Sequence, residues 1–481
     1  MKKALVLILA ALLLAAAILP AAANSAQVHW QGTDATGAII ADENCPVVVE
    51  KEVLTFDLEQ FPESYYSNAE EYLGYTGKVT AEYTFYNPAD YTVTARLLFP
   101  FGTQPTYASN YDSKTGTRVD HADTEKYDIT VDGQPIEKTL RYTLTDSWQQ
   151  FDLQKDLALL HDGFVKDDFY SPDLPVTIYL YTVSGIDEEK YPAANVAFDI
   201  GESDYPDSRL YLVDQSGSHY QKSSNTQRMS IWAENGQKIA LYVIGKPLTK
   251  PIEWKFYKNG GVENKERIDG SIINYEIETI TFKDFTMKGW FEEHTTVSES
   301  DWYNANVAMI KDAETTSYGS MIYLWHVRPG EPTLMRWYEY EITLEPGQRI
   351  VNTVTAPIYP AIDWSYEPGI YEYTYLLSPA ATWAQFGELE IIINTPYFII
   401  DSALEGFEKT ENGYRLTHSG LPRGELVFSL SESETPQQPV RHVTDYIPIE
   451  IIISFSIMGG VLLLIIGGII VIVVKKTKKN K

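Results

Sequence analysis

Side chains alternate between apolar and polar along much of this chain, and a period of two leaves few options besides half-buried β-strands. Val79, Ala81, Tyr83 and Phe85 fall on one face while Lys78, Thr80, Glu82 and Thr84 fall on the other, and the turn formers Asn87 and Pro88 follow. Val93, Ala95, Leu97 and Phe99 repeat the pattern before Pro100, as do Tyr338, Tyr340, Ile342 and Leu344 against Glu339, Glu341 and Thr343. Antiparallel sheets with one wet face produce such patterns. Later come Tyr371, Tyr373, Tyr375 and Leu377, then Leu389, Ile391 and Ile393, then Leu426, Phe428 and Leu430. Asp132-Gly133, Asn235-Gly236 and Asn412-Gly413 sit between strand-like runs, where a tight hairpin favours residues that tolerate positive φ.

Helical patterns are few. They cover Trp148 to Leu160, and Ser298 to about Lys311, where Trp302, Met309 and Ile310 share a face and Ser298 and Asp301 have capping-box spacing. The expected fold is therefore all-β: tandem antiparallel β-sandwich-like domains with one or two short inserted helices, plus a single C-terminal transmembrane helix. Pro247, Pro251, Gly260, Gly261 and Gly270 punctuate a charged stretch and place a domain boundary near residue 260. The expected order is residues 1–23 as signal peptide, 24–260 and 261–430 as two β-rich extracellular domains, 431–446 as a polar stalk, 447–474 as the membrane span and 475–481 as a basic cytoplasmic tail.

The two ends carry the topological argument. Lys2 and Lys3 precede an apolar run from Ala4 to Leu19, then Pro20 and the small residues Ala21 to Ala23, the layout of a cleavable secretory signal. Ile451 to Val474 is apolar apart from Ser454 and Ser456, and at about 1.5 Å per residue it is long enough to cross a bilayer. A buried core helix of that length keeps a polar stripe, and this segment has none. Lys475, Lys476, Lys478, Lys479 and Lys481 follow at once and pin the C-terminus in the cytoplasm. Ser456 and Gly460, with Gly467 on the same face, suit a closely packed helix partner.

Composition narrows function by exclusion. Without the seven terminal lysines, 31 basic residues face 66 acidic ones, a balance that excludes nucleic-acid binding. Cys45 is the one cysteine, so no intramolecular disulfide forms, and the thiol is read as inert or mildly reactive. No N-x-S/T sequon occurs, which favours a bacterial cell surface. The run from Val79 to Asn87, followed by Leu97-Leu98-Phe99-Pro100, resembles the strand, Asn turn and Phe-Pro ending of vault/inter-α-trypsin-type β domains and of bacterial membrane-anchored surface proteins built similarly. The stretch Tyr373 to Gly387, with Leu377-Ser378-Pro379 and Trp383, is similar to late β regions of the latter. The resemblance implies a β-domain architecture and transfers no functional residue.

No serine-hydrolase elbow, zincin helix motif, P-loop, dinucleotide fingerprint, EF-hand loop or zinc spacing occurs. Glu292-Glu293-His294 cannot converge if it lies on a strand, because neighbours point to opposite faces. Glu202, Asp204 and Asp207 around Tyr205-Pro206 form an oxygen-rich loop of the kind calcium uses, but without the ligand spacing of a known site, and a solvated turn is the simpler reading. No catalytic residue, metal ligand or cofactor is assigned. With 34 tyrosines and 10 tryptophans, the strands can present rigid aromatic contact surface to a protein or polysaccharide, although strand propensity accounts for most tyrosines. The expected function is that of a non-enzymatic binding or membrane-complex accessory module anchored in the bilayer. The alternative is a surface-anchored hydrolase acting on carbohydrate or cell-wall polymer, since a glycosidase's carboxylates are set by the fold and not by sequence distance.

Overall fold

A computed structural model of the chain describes residues 29–30, 34–36, 38–40, 45–59, 61, 77–102, 127–144, 157–160, 162–201, 203–260, 266–288, 297–316 and 334–438. The chain divides into two compact units. The larger runs from Trp30 to Ile362 and from Tyr371 to Leu430. In the smaller, which takes in Asp363–Ile370 and the chain from Ser431, the Ser431 hydroxyl donates to the Gly369 carbonyl at 3.0 Å. There too the backbones of Glu367 and Gln437 exchange hydrogen bonds.

An eight-stranded sheet forms the frame of the larger unit, in the order Glu408–Thr410, Gly413–Ser419, Phe386–Asn394, Val48–Asp57, Gly77–Tyr86, Arg349–Ile358, Asp128–Val131, Gln134–Pro135. Its strands come from both ends of the sequence, and the alternation explains why they pack: Val79, Ala81, Tyr83 and Phe85 are all buried, as are Leu389, Ile391 and Ile393. A second sheet pairs Val93–Gly102 with Leu334–Leu344 and the latter with Thr139–Leu144. In a third, Ile370–Leu376 pairs with Leu426–Ser431. Phe56 makes edge-to-face contacts with Tyr375 and Phe428, which joins the third sheet to the frame.

Between Thr139–Leu144 and Leu334–Leu344 the chain builds an inserted β-sandwich. One sheet has the order Ser208–Leu212, Lys238–Gly245, Pro175–Ser184, Ser271–Thr281, and the other Gly217–Gln221, Thr226–Ala233, Ala194–Gly201, Lys255–Tyr257. Val196, Phe198, Ile200, Met229, Ile231, Leu241 and Val243 fill the space between them. Two helices, α1 (Phe282–Met287) and α2 (Glu299–Thr316), cover part of the first sheet's other face, where Phe282, Phe285, Tyr303, Val307 and Ile310 pack on Val176 and Ile244. Ser298 caps α2 by accepting the Asp301 N–H at 3.0 Å, and Trp302, Met309 and Ile310 are buried, as their spacing predicts.

The all-β reading holds, with three corrections. Strands on either side of residue 260 pair directly, Ser271–Thr281 with Pro175–Ser184 and Arg349–Ile358 with Gly77–Tyr86, so a division there separates no two sheets. Within the Gly- and Pro-rich stretch, Lys255–Tyr257 is itself a strand of the inserted sandwich, paired with Ala194–Gly201. Pairing is also not purely antiparallel: Phe386–Asn394 runs parallel to Val48–Asp57, and Asp34–Thr36 runs parallel to Ile370–Leu376. Gly387 permits the first of these, because a Cβ there would fall 2.1 Å from the Glu50 carbonyl oxygen.

The third correction concerns turns. Asp132-Gly133 and Asn412-Gly413 each close a hairpin. Asn235-Gly236 instead carries the chain from one sheet of the sandwich to the other. Asn235 makes this crossing by accepting the Ile186 N–H at 3.0 Å and donating to the Ile186 carbonyl at 2.9 Å, while Gly236 takes a φ of 82°. The expected helix over Trp148 to Leu160 lies largely outside the described residues, as do the segments expected to form the signal peptide, most of the stalk, the membrane span and the tail.

Candidate binding face

Three polar constellations stand out among the described residues, two buried and one at the surface. The first is a row across the frame, where register places Leu389, Glu52, Tyr83 and Asn352 side by side on four strands. Glu52 is 1% exposed. Burial pushes its carboxyl up to about 7, although hydrogen bonds with the Tyr83 and Tyr375 hydroxyls pull the other way. The same burial, with Glu52 close by, raises both tyrosines well above their ordinary range. Tyr83 also accepts the Ala38 N–H at 3.0 Å, and Asn352 is held by the Tyr340 hydroxyl at 2.9 Å and the Thr130 carbonyl at 3.0 Å. Every polar side chain in the row has a partner, and its residues are closed off from solvent, which makes it a structural network.

The second fastens α2 to the sheet of Thr139–Leu144. Arg141 spans Asp301 with Nε–Oδ2 and Nη2–Oδ1 distances of 3.2 and 3.1 Å, and Asp301 also accepts the Tyr142 N–H at 3.0 Å. Glu339 bonds both Arg141 and Arg96. Burial lowers the Arg141 guanidinium and raises the Glu339 carboxyl, but the ion pairs outweigh it, leaving Arg141 above and Glu339 below their ordinary values. Trp302, one residue after Asp301, buries its indole and donates Nε1–H to the Thr286 carbonyl at 2.7 Å, so α1 is tied in as well.

The third lies on the outer face of the sandwich's second sheet. In Thr226–Ala233 the inward set Met229, Ile231 and Ala233 leaves Arg228, Ser230 and Trp232 pointing out, and in Ala194–Gly201 the inward set Val196, Phe198 and Ile200 leaves Asn195, Ala197 and Asp199 pointing out. Register then lines up Trp232, Asn195 and Tyr257 in one row and Arg228 and Asp199 in another. Asp199 takes a two-point grip from Arg228 at 2.6 and 3.0 Å and a third bond from Lys255 at 2.8 Å. Partial burial raises the Asp199 carboxyl, and these cations more than offset it, holding it below the usual range. The Arg228 guanidinium sits over the Tyr257 ring, 5.6 Å from its centroid.

Trp232 differs from its neighbours, being a large apolar side chain 43% exposed on this charged face. Gly260 lies against its ring, and a Cβ there would sit 3.4 Å from Cζ2 and 3.7 Å from the Asn195 amide nitrogen. Asn195 is 1% exposed, and among the described residues its Oδ1 has no hydrogen-bond partner, so this acceptor is closed off from solvent. Gln215, two residues ahead of Gly217–Gln221, has a second buried oxygen without a partner among the described residues. The sequence reveals that Trp232 and Asn195 point outward on their own strands; their adjacency depends on a pairing that sequence spacing does not disclose.

The residues singled out from sequence are not brought together. Asp204 accepts the Gly201 N–H at 3.0 Å, Asp207 pairs with Lys246 at 2.5 Å, and Glu202 lies outside the described residues. Glu292, Glu293 and His294 lie outside them too, as do Ser456, Gly460 and Gly467. Among the described residues no three His, Cys, Asp or Glu side chains gather as a metal site would require, and no helix is long and apolar enough to cross a membrane.

No family model matches the chain, and no curated protein matches it. Among solved structures, a Legionella pneumophila protein provisionally termed a nutrient binding protein aligns over 84% of this chain and 72% of its own, at 10% identity and a TM-score of 0.29. A likeness that slight carries no argument about fold or function.

Proposed function

We propose that this chain is a single-pass bacterial cell-surface protein whose exported β-rich part is a non-enzymatic binding or membrane-complex accessory module. The topology rests on the two sequence ends: an export signal before Asn24, and a span from Ile451 to Val474 with five lysines behind it. The observation that carries the binding role is the outer face of the inserted sandwich, where Trp232 stands 43% exposed on the same face as the charged side chains of Arg228, Asp199 and Lys255. An exposed flat aromatic ring on a charged face suits a polyhydroxylated ligand, with apolar C–H surface on the indole and hydroxyls bonding to the charged side chains. We favour polysaccharide for this face. The buried acidic side chains among the described residues hold the fold together, Glu52 with tyrosines, Asp301 with Arg141 and Glu390 with Lys51 and Arg415, which leaves none free for general acid–base work.

Affinity electrophoresis of the full chain in detergent, through gels containing neutral polysaccharides, tests the reading. Retardation by at least one polymer is expected, with Trp232→Ala weakening binding by tenfold or more. Equal retardation of the variant overturns the assignment of this face. Release of reducing ends from the polymer overturns the non-enzymatic reading in favour of a hydrolase.

A further inference from the structure

Ser271–Thr281 is the last strand of the sandwich's first sheet, paired on one side with Pro175–Ser184. Among the described residues no strand pairs with its other side, so alternate backbone N–H and C=O groups along eleven residues face outward. Its side chains are unusual for such an edge. The described residues hold four exposed large hydrophobic side chains, and two of them, Ile273 and Ile277, are here, each 56% exposed. Ile273 is the extra residue of a bulge opposite Thr182 and Val183, after which the strand runs in regular register from Asn274 to Thr281. Along that run Ile277 lies opposite Tyr179, on the face turned toward the second sheet. Glu276 and Glu278 lie on the reverse face and are exposed. Lys238 pairs with Glu276 at 3.0 Å, and among the described residues Glu278 has no ion pair.

We propose that this edge accepts an extended segment of a partner protein by strand addition, the segment carrying lysine or arginine on one face and a β-branched apolar side chain on the other. Backbone hydrogen bonds supply the affinity in such pairing, and cross-strand side chains supply the choice of partner. Charge decides between occupants. In an antiparallel self-pairing centred on Ile277, Glu276 of one copy would lie opposite Glu278 of the other, and like charges directly opposed are destabilising. A basic segment turns the same two positions into attractive pairs and draws further on an exported part with 66 acidic residues. This surface lies on the sheet that does not carry Trp232, so its occupancy does not depend on the polysaccharide reading.

The test uses the full chain in detergent and fluorescently labelled octapeptides of alternating valine with lysine or with glutamate, followed by anisotropy. The valine–lysine peptide should bind, and the same peptide N-methylated at alternate residues should bind at least tenfold more weakly although its charge is unchanged. Glu276→Lys combined with Glu278→Lys should reverse the preference to the valine–glutamate peptide, and Ile277→Lys should weaken binding of the valine–lysine peptide. Equal binding of the N-methylated peptide would reduce the effect to plain charge attraction and overturn strand addition. A failure of the double variant to reverse preference would place the contact elsewhere. A peptide-free dimer abolished by Ile277→Lys would identify a second copy as the occupant and contradict a basic partner.

Discussion

Glu52 shows how one side chain can set the pH response of this fold. Its carboxyl is raised from the ordinary 4.5 to about 7 by burial between strands of the frame and the tyrosines Tyr83 and Tyr375. The folded state therefore holds this proton more tightly than the unfolded chain. Its contribution to stability is fully present below pH 4.5 and is lost as pH rises through 7. A shift of that size corresponds to roughly 3 kcal/mol. Urea unfolding of the full chain in detergent at pH 5 and pH 8 should show the loss, and Glu52→Gln, which stays neutral, should flatten it. A pH dependence unchanged in the variant would assign the effect to another group. Asp301 accepts hydrogen bonds from the Arg141 guanidinium with a fully buried side chain. Asp301→Asn removes the buried partner of that cation and leaves Glu339 as its remaining close counter-charge, and the expected cost is about 1.5–3 kcal/mol, measured as a fall in the unfolding midpoint. Asp162, whose side chain is fully exposed, also reaches Arg141, so Asp162→Asn should cost little by comparison.

Among secondary-structure elements, legibility in the sequence follows the range of the physics involved. Strand faces were readable because alternation is local: Tyr371, Tyr373 and Tyr375 are buried where the pattern says, as are Leu426, Phe428 and Leu430. The start of α2 was readable for the same reason, since Ser298 reaches only as far as Asp301. α1 was not, because six residues, Phe282–Met287, are too few to display a 3.6-residue period. Sheet membership was hidden as well. Asn235-Gly236 has a hairpin's chemistry, yet Lys238–Gly245 finds its partner in Pro175–Ser184, more than fifty residues back, because Leu241 and Val243 bury against the facing sheet. The parallel pairing of Val48–Asp57 with Phe386–Asn394 joins segments over three hundred residues apart, and nothing within either strand announces its direction. The Trp232, Asn195 and Tyr257 row inherits the same limit. Each residue is placed on its face by local alternation, and the three meet through long-range register.

For the molecule as a whole, the frame draws strands from both sides of an inserted sandwich, so the β-rich part does not read as two domains in tandem. The sandwich contributes both surfaces proposed for recognition; of the two buried networks, the Glu52 row lies in the frame and the Arg141–Asp301 network joins the second sheet to α2. The excess of acidic residues repels anionic headgroups, which suits the proposed role of a module reaching outward from a membrane anchor. The central claim is the topology that puts those surfaces outside the cell. Labelling of intact cells with a membrane-impermeant maleimide tests it most directly, in a Cys45→Ser background with a new cysteine either at exposed Ser223 or at Lys481. The account predicts that Ser223→Cys labels on intact cells and Lys481→Cys labels only after permeabilisation. Labelling of Lys481→Cys on intact cells, with Ser223→Cys protected until the membrane is opened, would contradict it.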